Sequence, residues 1–347
     1  MTWEPEPGDT IAGRYELAEF LGKGGFAKAY KARDTQTGRD VVLKHPNYTE
    51  SQNDESVIEE YFQKEAESLA RIAAAGGHRN VMDLYDSISE RDVPFLVVEL
   101  VEGGIELDNV IEEHGPIADS EQVRQIGIDL ADAMGFLHEN EIVYRDLKPE
   151  NVMLKPDITP TLIDFNTATG FDSTSDPSSG NSGTTILGPF KPREVAEAGR
   201  TDVRQGPWSD VYSIGKILLF LLKGSVPKKD GVNPKDFGAD CDDYLAEIVE
   251  RATQSDYRHR YSNATVLRDV LEAKDPTPPS TASLRYIQAD RAFSVEHGDT
   301  IGREGANGPP ASITIEDPQG EYISSVQVQF ENEGDAWYLV DRSLNGT

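Results

Sequence analysis

Residues 274–283, KDPTPPSTAS, hold three prolines among small polar residues. Proline fixes φ and removes a backbone donor, so neither a helix nor a central strand can run through this stretch. The chain must therefore fold as separate pieces on either side, joined by an extended linker. The hydrophobic period divides it further. Residues 15–21, 28–33 and 40–44 read as short strands parted by glycine and polar turns, and residues 95–100 as a short apolar strand. Between them a helix is expected from near Asp54 to the Gly76-Gly77 pair. From Ser120 onward helical spacing dominates, over residues 120–140, 211–223, 244–252 and 264–273. Past the proline seam short strands return at 292–295, 312–316, 326–330 and 337–340. The expected class is α+β: a small β-rich lobe, a larger helical lobe and a separate all-β module. Residues 171–185, rich in Ser, Gly and Asp, have no apolar period and read as a loop.

Charge narrows the partners. The 347 residues carry 62 Asp and Glu against 33 Lys and Arg, a formal net charge of −29. Phosphate backbones and anionic membranes attract basic surfaces, so neither nucleic acid nor membrane is expected as a partner. Residues 275–347 hold 12 acids and 4 bases, so the larger share of the charge lies before the seam and both parts are acidic. That pattern is expected of a protein adapted to concentrated salt, as in a halophile cytoplasm. No run of 18 apolar residues occurs, and the first residues, MTWEPEPGDT, lack the basic and apolar regions of a secretory leader. A soluble, cytoplasmic protein is expected. The single Cys241 excludes an internal disulfide framework and a cysteine zinc site.

Three segments carry chemistry. Gly22-Lys23-Gly24-Gly25-Phe26 lies between two predicted strands, where glycines let backbone N–H groups approach a phosphate. Lys44 ends the apolar run Val41-Val42-Leu43 and needs an anionic partner. The following helix offers one: its core stripe is Ile58, Phe62, Glu65, Leu69 and Ile72, and a lone carboxylate on a buried stripe is costly unless a cation meets it. Lys44 and Glu65 are therefore expected to pair, holding the lysine toward a phosphate. The third segment is Tyr144-Arg145-Asp146-Leu147-Lys148-Pro149-Glu150-Asn151, with Asp164-Phe165-Asn166 ending the next apolar run. Two Asp and an Asn at strand ends can bind magnesium through oxygen and orient a hydroxyl, and Lys148 can neutralise a transferring phosphoryl group.

With Trp208-Ser209-Asp210 added, this ordered set resembles the eukaryotic-type (Hanks-type) Ser/Thr protein kinase family over residues 12–272. The resemblance implies the bilobal kinase fold, ATP and Mg²⁺ (or Mn²⁺) as cofactors, and protein substrates. By that resemblance Asp146 accepts or orients the substrate hydroxyl proton, and Lys148 stabilises the γ-phosphate and points to Ser/Thr acceptors. Asn151 and Asp164 hold the metal. Lys44, positioned by Glu65, binds the α/β-phosphates under the loop of Gly22, Gly24 and Gly25. Ala29 and Val42 sandwich adenine, Glu99 and Val101 form the hinge, and Val98 is the gatekeeper. Asp210 braces the catalytic loop, and Glu194 and Arg260 form a buried ion pair. Departures are visible: Ala27 replaces the third glycine, Tyr144 stands for the usual His, and DFG reads DFN, with Asn166 expected as a substitute in a left-handed backbone. The Gly183-Thr184 pair is displaced from Glu194, leaving Thr184 and Thr185 as alternatives for the substrate-contacting threonine of the activation loop. A pseudokinase scaffold and a small-molecule phosphotransferase of the same superfamily remain the alternatives.

Residues 273–283 form the expected linker. Residues 284–347 resemble a forkhead-associated (FHA) domain, a β-sandwich that reads phosphothreonine, through Gly302-Arg303, Ser324 and Asp341-Arg342-Ser343-Leu344-Asn345-Gly346-Thr347. The resemblance implies that Arg303 and Ser324 bind the phosphate and Asn345 the peptide backbone. Gln327 stands where that family usually has His, and the sequence stops at NGT, where the family continues, so a C-terminally incomplete module is expected.

Overall fold

In–out alternation marks the two central strands of the first sheet. In β3 (Ala27–Asp34) and β4 (Arg39–Pro46), Tyr30, Ala32, Val41 and Leu43 are buried, while Ala29, Val42 and Lys44 turn to the opposite face. The computed structural model describes residues 3–170, 188–196, 205–278, 282–286, 291–295, 298–303, 311–315, 323–333 and 336–343. The chain divides into two compact units, Met1–Pro276 and Thr277–Thr347.

In the first unit, β1 (Thr10–Ile11), β2 (Tyr15–Lys23), β3, β4, β5 (Leu84–Glu90) and β6 (Val93–Glu99) form an antiparallel sheet in the order β1-β2-β3-β4-β6-β5. One face closes over Tyr15, Leu17, Tyr30, Val41, Leu43, Phe95 and Val97, with Trp3 packed against it. Residues before position 12 thus belong to this sheet's core, and the Tyr30 hydroxyl donates to the Pro5 carbonyl at 3.0 Å. Helix α1 (Glu55–Ala74) starts after Asp54 and buries the predicted stripe of Ile58, Phe62, Glu65, Leu69 and Ile72 together with Ser68.

The helical part follows β7 (Ile105–Glu106) and α2 (Leu107–His114). It comprises α3 (Ser120–Glu139), α4 (Arg193–Ala196), α5 (Pro207–Lys223), α6 (Asp243–Ala252) and α7 (Ala264–Ala273). Helix α5 is buried nearly all round, and its apolar residues belong to the large core. Helices α3, α5 and α7 meet at Gly127, where an added Cβ would lie 2.9 Å from Leu218 and 3.2 Å from Leu271. Four further short strands, β8 (Ile142–Val143), β9 (Val152–Leu154), β10 (Pro160–Leu162) and β11 (Thr169–Gly170), form with β7 two small sheets, β10-β9-β7 and β11-β8, around the loop carrying Asp146. Among the described residues, no helix is long and apolar enough to cross a membrane.

Helix α7 runs to Ala273, and β12 (Ala282–Tyr286) is the first strand of the second unit. β12 pairs with β13 (Arg291–Val295). β14 (Thr300–Arg303), β15 (Ile313–Ile315), β16 (Val328–Glu333) and β17 (Ala336–Asp341) form a four-stranded sheet in the order β15-β14-β16-β17. Val295, Ile313 and Phe330 make a small core.

Candidate active site

The inward face of β3 and β4 supplies the first part of the site. Ala29 lies opposite Lys44 in the ladder, and Val42 opposite Val98. Lys44 projects from this face onto Glu65 of α1 and forms the predicted ion pair with it. Burial alone would pull the Lys44 ammonium down, but the charges of Glu65 and Asp164 outweigh it and hold the lysine above its ordinary value. Burial, with Asp164 nearby, pushes the Glu65 carboxyl up, opposed by Lys44. The glycine loop is tied to the chain that follows β4. Asn47 Nδ2 donates to the Gly24 carbonyl at 2.9 Å and Ser51 Oγ to that of Gly25 at 2.6 Å. Phe26 stacks on Tyr61 of α1 with ring centroids 4.1 Å apart. None of Gly22, Gly24 or Gly25 has positive φ, and a Cβ at Gly22 would point into open space. The glycines here leave room beside the backbone, which is what a phosphate cradle requires.

The catalytic-loop segment is shaped by Asp210 at the start of α5. Its fully buried carboxylate accepts from the Tyr144 N–H at 2.9 Å, the Arg145 N–H at 2.8 Å and His138 Nε2 at 2.9 Å. These bonds hold Arg145 at φ 68°, a conformation a non-glycine residue adopts only when its surroundings compel it. The kink presents Asp146. Asn151 Nδ2 donates both to the Asp146 carbonyl at 2.8 Å and to its Oδ2 at 3.1 Å, and Lys148 Nζ stands 3.8 Å from the same oxygen.

Asp164 comes beside this loop because the Ile163 N–H donates to the Asn151 carbonyl at 3.2 Å. With its amide nitrogen committed to Asp146, Asn151 keeps its side-chain oxygen as a ligand. Among the described residues no cluster of three or more His, Cys, Asp or Glu forms a metal cage. Magnesium with a polyphosphate needs only one or two protein oxygens beside the phosphates, so this donor pair fits it. Phe165 packs edge-on against Tyr144 at 5.1 Å, fixing the start of the DFN turn.

Comparison with known proteins places this geometry. Residues 15–282 match the protein kinase domain. The chain belongs to the protein kinase family. It is 28% identical to a probable serine/threonine-protein kinase of Clostridium acetobutylicum over 303 residues, 83% of this chain and 42% of that protein. It is likewise 28% identical to the serine/threonine-protein kinase PrkC of Bacillus subtilis, over 74% of this chain and 40% of PrkC. Against PknB of Mycolicibacterium smegmatis the identity is 28%, over 81% of this chain and 48% of PknB. The chain spans less than half the length of these curated relatives.

Within this kinase fold, Lys44, Glu65 and Asp164 stand together, as do Asp146, Lys148 and Asn151. Val98 and Glu99 end β6, and Val101 is buried beyond them, where its carbonyl accepts from the Gly104 N–H at 3.1 Å. Glu194 and Arg260 form a fully buried pair at 2.6 Å. Asn166 corrects the sequence reading, for it does not adopt positive φ. Instead its N–H and Nδ2 donate to the two Asp164 oxygens at 3.1 and 3.2 Å, so this Asn orients the carboxylate. Thr184, Thr185 and Asn345 lie outside the described residues. In the second unit the Arg303 N–H donates to the Ser324 carbonyl at 3.0 Å, bringing those two residues side by side. Gln327 Oε1 accepts from the Ser324 N–H at 3.0 Å. Two contributors escaped the sequence reading. His138 was indistinguishable from an ordinary helix histidine. Lys191, whose Nζ lies 2.6 Å from Asp146 Oδ1, belongs to a segment with no periodicity to place it.

Proposed function

We propose that this protein is a Ser/Thr protein kinase that transfers the γ-phosphate of ATP to protein Ser or Thr hydroxyls. The observation that carries the reading is the formed Lys44–Glu65 pair beside Asp164, which a scaffold without nucleotide chemistry does not need. Lys44 draws in the α/β-phosphates, and the open face at Gly22 lets backbone N–H groups cover them. Mg²⁺, or Mn²⁺ in its place, would be held by Asn151 and Asp164 and would neutralise phosphate charge. Asp146 accepts the hydroxyl proton as the acceptor oxygen takes the phosphoryl group and ADP departs. Lys148 balances the charge developing on the phosphoryl oxygens.

Three finer readings accompany it. The activation loop holds Ser173, Thr174, Ser175, Ser178, Ser179, Ser182, Thr184 and Thr185, and autophosphorylation among them, answered by Arg145, orders the segment, with Thr184 or Thr185 as the substrate-contacting threonine. The second unit is an FHA-type reader in which Arg303, Ser324 and Asn345 hold a phosphothreonine partner, raising the local concentration of substrate. The net charge of −29 suits work in concentrated salt within a cytoplasm. The experiment that separates kinase from pseudokinase scaffold begins with Mg-dependent ATP binding by thermal shift. The kinase reading expects a shift that Lys44→Met and Asp164→Asn each abolish, followed by autophosphorylation in the wild type. ATP binding without any autophosphorylation would favour the scaffold.

A further inference from the structure

Residues 188–194 are held firmly against the helical part of the fold. Phe190 meets the Phe220 ring edge-on at 5.7 Å, its carbonyl accepts from Ser213 Oγ at 2.9 Å, and Glu194 is locked onto Arg260. Between these anchors Lys191 reaches 2.6 Å from Asp146 Oδ1, with its side chain only 17% exposed. The other oxygen, Oδ2, already accepts from Asn151. Oδ1 is therefore the oxygen left for an acceptor hydroxyl, and in the resting site an ammonium covers it.

We infer that Lys191 determines specificity, selecting Ser or Thr acceptors that have Asp or Glu directly next to them in the peptide; this rests on the kinase reading above. When an acceptor hydroxyl takes up Asp146 Oδ1, Lys191 loses some or all of its hold on that carboxylate. A largely buried ammonium deprived of its anion needs another. Phe190 and Glu194 keep the lysine beside the reacting hydroxyl, so the replacement must come from the bound substrate. Consecutive Cα atoms are about 3.8 Å apart, so a carboxylate on an adjacent residue is within reach. An Arg or Lys in the same place meets a like charge and is rejected. Lys148 does not duplicate this role, because it is 40% exposed and stands off the opposite oxygen at 3.8 Å. The competing anion is the γ-phosphate itself; were it to satisfy Lys191 alone, the neighbouring peptide residue would not matter.

The test uses the full chain with ATP and Mg²⁺ at low salt, on Ser and Thr peptides that differ only in having Asp, Ala or Arg beside the acceptor. The expected result is a kcat/KM about tenfold higher for Asp than for Ala, and lower still for Arg. Lys191→Met should bring the three within about twofold, and Lys191→Glu should invert the order. Melting temperature and the Mg–ATP thermal shift of each variant establish that it is folded. Should Lys191→Met prove unfolded, the wild-type profile and its retention in Lys191→Arg decide. Transfer with no preference in the wild type, or a preference that survives in Lys191→Met, overturns this inference alone. A wild type that binds Mg–ATP yet phosphorylates no peptide overturns the kinase reading and this inference with it.

Discussion

Glu194→Gln is the substitution whose consequence the structure defines most closely. Arg260 is fully buried, and all five of its N–H donors are placed. Two go to Glu194, at 2.6 and 3.3 Å. The others go to the carbonyls of Trp208 at 3.2 Å, Ser255 at 3.2 Å and Gln254 at 2.7 Å. Ser209 Oγ adds a bond to Glu194 Oε1 at 3.1 Å. The amide of Gln keeps the shape but removes the charge, and it sets an NH₂ group against one guanidinium nitrogen. Removing one partner of a buried pair costs about 3–5 kcal/mol, because the remaining charge stays buried. Three carbonyls still hold Arg260, so the lower end, about 3 kcal/mol, applies. For a unit of this size, that is a fall in melting temperature of about 6–12 °C. Differential scanning calorimetry of the full chain reads it directly. Because Glu194 also anchors the segment bearing Lys191, the KM for protein substrate should rise as well. Replacing both partners with Leu should recover part of the lost stability. A melting temperature within about 2 °C of the wild type would refute the reasoning that the pair is buried and unscreened.

Other outcomes follow from neighbouring sites. His45 lies between the rings of Tyr30 and Phe95, and burial pushes its imidazole down to about 4. The unfolded chain, with an ordinary histidine near 6.5, binds the proton first, so stability falls as pH drops from about 6.5 to about 4, by about 3 kcal/mol in all. His45→Gln should flatten that limb in a urea-midpoint series, and parallel wild-type and variant limbs would contradict it. Asp210→Ala strips the acceptor from the Tyr144 and Arg145 N–H groups and should lower kcat about 100-fold while ATP binding persists, as steady-state kinetics would read. Gly302→Ala would put a Cβ 1.8 Å from the Ser325 carbonyl oxygen. It should abolish the phosphothreonine-peptide binding proposed for the second unit, measured by titration calorimetry, because the Arg303–Ser324 approach cannot form.

The legible parts of the fold were those with a strong period or a costly residue. The α1 stripe announced both the helix and its partner, since a carboxylate at Glu65 among four apolar positions demands a cation, and Lys44 supplies it. Residues 264–273 form the expected helix, and α5 begins earlier than expected because Pro207 fits its first turn after Gly206. β5 was not legible: LYDSISE alternates only between half-buried and exposed, an edge strand with no apolar face. α2 is eight residues long, too short for its spacing to stand out. At the site, motif residues could be named but not their geometry. The φ of 68° at Arg145 follows from a carboxylate 65 positions away, and Lys191 meets Asp146 across 45 positions. Asn166 shows the same limit, for its role comes from hydrogen bonds to Asp164 rather than from backbone preference.

In the proposed function, Asp146 serves phosphoryl transfer from ATP to a protein hydroxyl. The most direct measurement is transfer of γ-labelled phosphate, with Mg²⁺, by the wild-type chain and by Asp146→Asn, onto the chain itself and onto a generic protein acceptor, at low and high salt. The account predicts Mg-dependent labelling of Ser or Thr by the wild type and a loss of about 10²–10⁴-fold in the variant, with Mg–ATP binding retained. Equal labelling by the two proteins would contradict it.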